Sequence, residues 1–179
     1  MGQDKAGLLF CGHPLWRHQL ATLASTKPNA LFVAGKCASI STEDATIFTD
    51  EWPDCGPLGG LATALHRATA PWLLVLAVDM PSMSATFLTR LIAHAEKTGR
   101  GAVPTLDGQW EPLAAVYPKS ARPLAEELCR SRRLAMRTFI EAAELDAIPV
   151  AKAERPLFLN VNTPADWRPS PDSTSPPPS

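Results

Sequence analysis

Residues 72–81 read WLLVLAVDMP, an unbroken apolar run from Trp72 to Val78 followed by an acid, Asp79, and a proline, Pro81. A short run of this kind reads as a strand buried on both faces, inside a sheet that carries helices on each side. A buried helix segment has the same composition, but the brevity of the run and the prolines at 71 and 81 favour strand. Asp79 then stands at the carboxyl end of a central strand, the edge of an open α/β sheet where ligands bind. A carboxylate there is placed to hold a divalent cation over phosphates. The alternative is an ordinary turn-initiating acid before Met80 and Pro81.

The rest of the chain reads as short elements around that strand. Residues 8–11 are at most a very short strand, and residues 14–23 have helical spacing, with Leu15, Trp16, Leu20 and Leu23 on one face. Residues 30–34 and 45–49 are strand candidates too short to stand alone, and the second ends at Asp50. Pro57 opens a helical segment in which Leu58, Leu61, Leu65 and Ala68 keep step. Gly59 and Gly60 are costly inside a helix. They imply close approach of a ligand, or else a tight helix–sheet contact.

Ser82 or Ser84 is suited to cap a helix running to about Lys97. Strands are expected at 101–104 and 112–117, on either side of a hairpin-type turn at Asp107-Gly108. Helices over 120–129 and 133–145 follow, then brief strands at 148–150 and 157–161 and a last helical turn from Thr163. Strands alternating with helices predict one α/β domain over residues 1–167 with a mostly parallel sheet. The stretch RPSPDSTSPPPS at 168–179 holds five prolines and four serines, and is expected to be a disordered tail.

A net charge of −1 and a pI near 6.4 argue against a general nucleic-acid or anionic-membrane binder. The four cysteines are scattered and show no zinc-type spacing, which suits free thiols in a reducing compartment, the cytoplasm. The start, MGQDKAGLLF, has no apolar core after a basic stretch, so no signal peptide is expected, and no run reaches the length of a membrane span. The four histidines form no metal spacing, and there is no GxSxG, P-loop lysine or complete dinucleotide fingerprint.

Among candidate site residues, Lys5 follows Asp4 near glycines and suits a phosphate, although by spacing alone an ordinary solvated lysine is the better reading. Asp50 and Asp79 both end expected strands. If those strands are neighbours, one acid is placed for ribose or base and the other for Mg2+. Asn160 and Asn162 flank Val161 on one side of the last strand, positioned for substrate or for capping the turn at Thr163. Arg130, Arg132, Arg133 and Arg137 form a basic patch that reads as solvated helix surface ahead of a docking site.

Five stretches, in order, carry a resemblance: MGQDKA at 1–6, DEWPDCGPLGGLATAL at 50–65, LVLAVDMP at 74–81, EPLAAVY at 111–117 and FLNVNTPADW at 158–167. Together they resemble the molybdenum cofactor guanylyltransferase family, the MobA-like nucleotidyltransferases. The resemblance implies a three-layer Rossmann-like nucleotidyltransferase domain. It implies transfer of GMP from GTP onto the phosphate of molybdenum-bearing molybdopterin, with Mg2+ as cofactor, pyrophosphate as product and protein partners in cofactor delivery. Lys5 would contact the nucleotide phosphates and Asp79 would bind Mg2+. Asp50 would help bind nucleotide, and Gly56, Pro57, Leu58 and Gly59 would form the loop beneath it. Asn160 and Asn162 would lie near the pterin substrate or the nucleotide.

The sequence also departs from the family pattern. Members begin with a strand and a glycine-rich LAGGxSxRMG loop, whereas this sequence starts at the Met of that motif. The expectation is that the natural chain begins upstream of Met1, and that the strands at 30–34 and 72–78 here lack a neighbour between them. Gly35 stands about where guanylyltransferases often have a nucleotide-binding Asn, Val78 where the family has Cys, and Glu111 where some members have His. A cytidylyltransferase or other MobA-like transferase is a second reading. A non-catalytic binding protein that has lost triphosphate binding is a third.

Overall fold

In the computed structural model, which describes residues 9, 10, 12–34, 40 and 42–161, the two-residue strands β1 (Leu9–Phe10) and β2 (His13–Pro14) pair antiparallel and lead into helix α1 (Leu15–Ala24). Lys5, Gly35, Asn162, the turn from Thr163 and the tail at 168–179 lie outside the described residues. Pro14 precedes the first turn of α1, where its missing N–H leaves no bond unmade. Strands β3 (Phe32–Ala34) and β4 (Thr46–Phe48) pair in parallel, Val33 opposite Ile47.

Helix α2 (Gly56–Arg67) starts with Pro57 in its first turn and buries Leu58, Leu61 and Leu65 at helical spacing. Strand β5 (Trp72–Leu76) follows, then α3 (Ala85–Thr98). Ser84 Oγ caps α3 by accepting the Phe87 N–H at 3.2 Å, and Gly99 ends the helix at φ 71°. Strands β6 (Ala102–Leu106), β7 (Gln109–Trp110) and β8 (Ala114–Pro118) come next, then helices α4 (Arg122–Arg130) and α5 (Met136–Ala142). Strand β9 (Asp146–Pro149) and a 3-10 turn at Lys152–Phe158 complete the described chain.

The expectation of a mostly parallel sheet is overturned. In the five-stranded sheet the β5–β8, β6–β8 and β6–β7 pairings are antiparallel and β6–β9 is parallel. The cause is local. Asp107 at φ 50° and Gly108 at φ 78° make the tight turn that sends the chain back along β6. The return arm, β7 then β8, is long enough to insert between β6 and β5, two strands joined by the α3 crossover. β9 takes the other edge of β6.

Two further expectations change. Among the described residues β5 is an end strand of this sheet rather than a central one, and each of its five residues is half-buried. Among the described residues β3 and β4 form a separate sheet, so no strand stands between β3 and β5. Of the segment expected as a strand at 157–161, the first two residues end a 3-10 turn that contains Pro156, and the other three form no strand.

The alternation of β8 builds the core on both sides. Ala115 and Tyr117 face α2, α4 and α5, where Leu58, Leu65, Leu128, Phe139 and Ile140 are buried. Ala114 and Val116 face α3, with Phe87, Leu88, Leu91 and Phe158. The result is helix, sheet and helix in three layers. Among the described residues no helix is long and apolar enough to cross a membrane.

The paired glycines of α2 divide in role. A Cβ on Gly59 would stand 2.6 Å from the Trp52 carbonyl oxygen and 2.9 Å from Cys55 Cβ, whereas one on Gly60 would meet Asp50 Oδ1 at an ordinary 3.5 Å. Alanine gains up to ~1 kcal/mol over glycine inside a helix, so Gly60→Ala should stabilise. At Gly59 the clash should win, and Gly59→Ala should destabilise by ~1–3 kcal/mol. Urea unfolding midpoints of the two variants should move in opposite directions.

Candidate functional site

Asp50 follows the end of β4, Asp79 follows the end of β5, and α2 starts between them in sequence. The segment at Asp50 is tied to α2 by a relay. The Glu51 N–H donates to Thr63 Oγ1 at 3.0 Å, and that hydroxyl donates to the Gly59 carbonyl at 2.9 Å. Asp50 thereby faces Gly60. Its Oδ1 is buried and without a hydrogen-bond partner, and burial raises its carboxyl above the usual range. Asp50, Gly56, Pro57 and Gly60 line the same cavity of about 780 Å³ as Ala77 and Val78 at the end of β5.

The turn that carries Asp79 is held from two sides. From α1, Gln19 Nε2 donates to the Ala77 carbonyl at 2.9 Å and to the Met80 carbonyl at 2.7 Å, and the His18 ring Nε2 lies 2.8 Å from the Pro81 carbonyl. From the far end of the chain, the Val161 N–H donates to the Asp79 carbonyl at 2.8 Å. That bond brings Asn160, exposed and next in the chain, beside the Asp79 turn. The Ala77 N–H donates to the Leu113 carbonyl at 2.7 Å, so the segment after β7 also approaches. It includes Glu111, whose carboxyl is raised by burial.

The structure therefore brings together Asp50, Gly56 and Pro57 along the cavity wall, and Asp79 with Asn160 at the turn that follows Val78. It turns Leu58 and Gly59 away. Leu58 is fully buried in the core beneath α2, and the Cα of Gly59 faces the Trp52 carbonyl, so neither residue lines the cavity. Gly60 takes the lining position instead.

Sequence reasoning missed Gln19. It falls four residues after Leu15 and four before Leu23, on the apolar stripe of α1, and a long amide there is the available signal. Its Oε1 is buried and unpartnered.

The basic patch is largely engaged within the chain. Arg122 and Arg130 contact Glu126 at 2.6 and 3.2 Å, Arg137 contacts Glu141 at 2.7 Å, and Arg130 lies over the Trp52 ring. Burial, with Cys55 alongside, pushes the Cys129 thiol up to about 12, so it is protonated at neutral pH and unsuited as a nucleophile.

Among the described residues no three His, Cys, Asp or Glu side chains gather as a metal site. Mg2+ at nucleotide sites takes one or two carboxylates and completes its shell with substrate phosphates and water. A partly exposed carboxylate such as Asp79 fits that donor chemistry.

A model of the MobA-like NTP transferase domain matches residues 1–148. The chain is 32% identical over 174 residues to a probable molybdenum cofactor guanylyltransferase of Opitutus terrae, covering 93% of this chain and 86% of that protein. It is 32% identical over 170 residues to the molybdenum cofactor guanylyltransferase of Xanthomonas euvesicatoria, covering 93% and 85%. The crystal structure of molybdopterin-guanine dinucleotide biosynthesis protein A from Archaeoglobus fulgidus matches with a TM-score of 0.76 at 25% identity, over 92% of this chain and 87% of that one.

The burial of Asp50 sets a pH dependence. Its raised carboxyl holds its proton to higher pH in the folded state than in the unfolded one. Stability then falls as pH rises from the unfolded value through the raised one, and stays lowered above it. Asp50→Asn should stabilise the chain at neutral pH, with the gain shrinking toward zero near pH ~4. Unfolding measured across that range for both proteins checks the sign.

Proposed function

This chain belongs to the MobA-like NTP transferase family, and from that premise we propose that it transfers GMP from GTP to the phosphate of a molybdopterin-type acceptor bearing molybdenum. The observation that carries this reading is the meeting of Asp50, the start of α2 and the end of β5 at one cavity, with the Asp79 turn beside them. The names of the relatives favour guanylyl transfer to the molybdenum cofactor.

An oxygen of the acceptor phosphate attacks the α-phosphorus of GTP. One P–O bond forms, the bond to the β-phosphate oxygen breaks, and pyrophosphate leaves. The attacking oxygen is already anionic, so no side chain has to remove a proton.

The chain's task is placement and charge. Asp50 offers a carboxylate oxygen without a partner to the N–H donors of the nucleotide. Gly56, Pro57 and Gly60 leave a low wall along the cavity, while Leu58 and Gly59 fix that wall from beneath. The first turn of α2 holds no acid, so its N–H groups favour negative charge nearby. Lys5 supplies an ammonium to the phosphates, and the amides of Asn160 and Asn162 serve the acceptor or nucleotide. Asp79 is the ligand for Mg2+, which when bound offsets charge on the phosphoryl oxygens and on departing pyrophosphate. The bonds from Gln19 and Val161 hold the Asp79 turn in place.

Asp79→Asn keeps the size of the side chain and removes the charge that a hard cation needs. GMP transfer from labelled GTP should fall by ~100-fold or more. The loss of stability in thermal unfolding should be far smaller than the loss of transfer. Unchanged transfer at limiting Mg2+ would remove Asp79 from this role.

A further inference from the structure

Gln19 is 4% exposed on the apolar side of α1, beside Leu15, Trp16 and Leu20, a place whose surroundings suit leucine. Its Nε2 donates to the Ala77 carbonyl at 2.9 Å and to the Met80 carbonyl at 2.7 Å, so both protons of one amide are used. The opposite orientation of the amide would set Oε1 against two carbonyl oxygens, so the donors face the turn.

Ala77 and Met80 are the outer residues of a four-residue turn, with Val78 and Asp79 between them. A planar NH2 group carries its two protons at a fixed angle. It serves both carbonyls at once only while their separation is fixed, so the side chain is a strut across the turn. It braces the turn without adding charge, whereas a lysine would bring an ammonium and a hydroxyl has a single proton to give. The neighbouring bonds reach other places. The Val161 N–H donates to the Asp79 carbonyl at 2.8 Å, the Met83 N–H to the Met80 carbonyl at 3.1 Å, and His18 Nε2 lies 2.8 Å from the Pro81 carbonyl. None of these three joins Ala77 to Met80.

We propose that Gln19 is a positioning residue for the cation site: by bracing the Asp79 turn it makes that site prefer Mg2+ to the larger Ca2+. The inference rests on Asp79 as the Mg2+ ligand, the reading given above. Mg2+ takes oxygens at about 2.0–2.1 Å in near-ideal octahedral geometry, whereas Ca2+ takes about six to eight at about 2.3–2.6 Å in flexible arrangements. A braced turn presents its carboxylate in one position, which serves the ion with the strict geometry. A loosened turn adjusts to whichever ion arrives, and that change costs Mg2+ more than Ca2+.

The test uses the whole 179-residue chain, with N-methylanthraniloyl-GTP as a fluorescent probe and no acceptor, so that binding is read and not turnover. Mg2+ and Ca2+ are titrated separately, and the midpoint of probe binding is recorded for each. Cation taken up by free nucleotide is common to all variants and cancels between them. Gln19→Met keeps the length of the side chain and removes both donors. It should raise the Mg2+ midpoint by ~10-fold or more, the scale of lost support behind a metal ligand, and the Ca2+ midpoint by less than ~3-fold. Gln19→Asn, one methylene shorter, should fall between Gln19→Met and the parent, and it decides in the same terms where Gln19→Met fails to fold. A side chain that only supports the fold would move both midpoints together. Equal shifts for the two cations, or no shift, overturn the proposal. Loss of the thermal transition in both variants overturns it also, since Gln19 is then a residue of the fold. Asp79→Asn separates this inference from the reading beneath it. If Asp79→Asn loses the cation dependence while Gln19→Met keeps the parent's preference for Mg2+, the role of Gln19 alone falls. If Asp79→Asn titrates as the parent does, the Mg2+ role of Asp79 falls and this inference with it.

Discussion

Five consecutive residue pairs, from Trp72 opposite Pro118 to Leu76 opposite Ala114, hold the two halves of the molecule in register. Each side of this ladder faces a different set of helices, so a slip by one residue would exchange the two cores. Ala115 and Tyr117 would turn to α3, and Ala114 and Val116 to α2 and α4. The register is reinforced from within the return arm, where the Tyr117 hydroxyl donates to the Pro112 carbonyl at 2.6 Å. Burial pushes the ionisation of that hydroxyl upward, so it remains a donor. The ladder continues past β5 through the Ala77 N–H and the Leu113 carbonyl. The position of Asp79 is therefore set by the same pairing that sets the core.

The helices were legible because their signals are local. Pro14 and Pro57 at the starts, Ser84 as a cap and Gly99 as a left-handed end all act within a turn of their own position. The Asp107-Gly108 turn was legible for the same reason. Its consequence was not, since the place of β8 between β5 and β6 depends on which edge is vacant, and periodicity carries no such information. The run at 72–78 misled for a related reason. Continuous apolar residues imply two covered faces, but they do not say whether both edges are paired.

The candidate site shows the same division. Asp50 and Asp79 were readable as acids at strand ends, and the structure puts them there. The roles inside GPLGG were not readable, because all five residues are small or apolar and only packing separates them. Leu58 points to the core, Gly59 meets a carbonyl, and Gly60 opens on the cavity. Gln19 was hidden by its surroundings, since a single amide on an apolar face changes the helical pattern very little. Its two bonds to main-chain carbonyls are long-range contacts, 58 and 61 residues apart in sequence.

The insertion of β8 also orders the events of folding. β5 and β6 are made first and are joined by α3, yet in the finished sheet they are separated by a strand that follows them both in the chain. If β5 and β6 paired directly, the edge of β6 that the return arm takes would be occupied. The hairpin of β6 and β7 closes over a two-residue turn, whereas the contact of β5 with β8 encloses α3 and the whole hairpin. Loop closure costs more for the longer span. Local closure thus comes ahead of the distant pairing, and it covers the edge of β6 before β5 arrives.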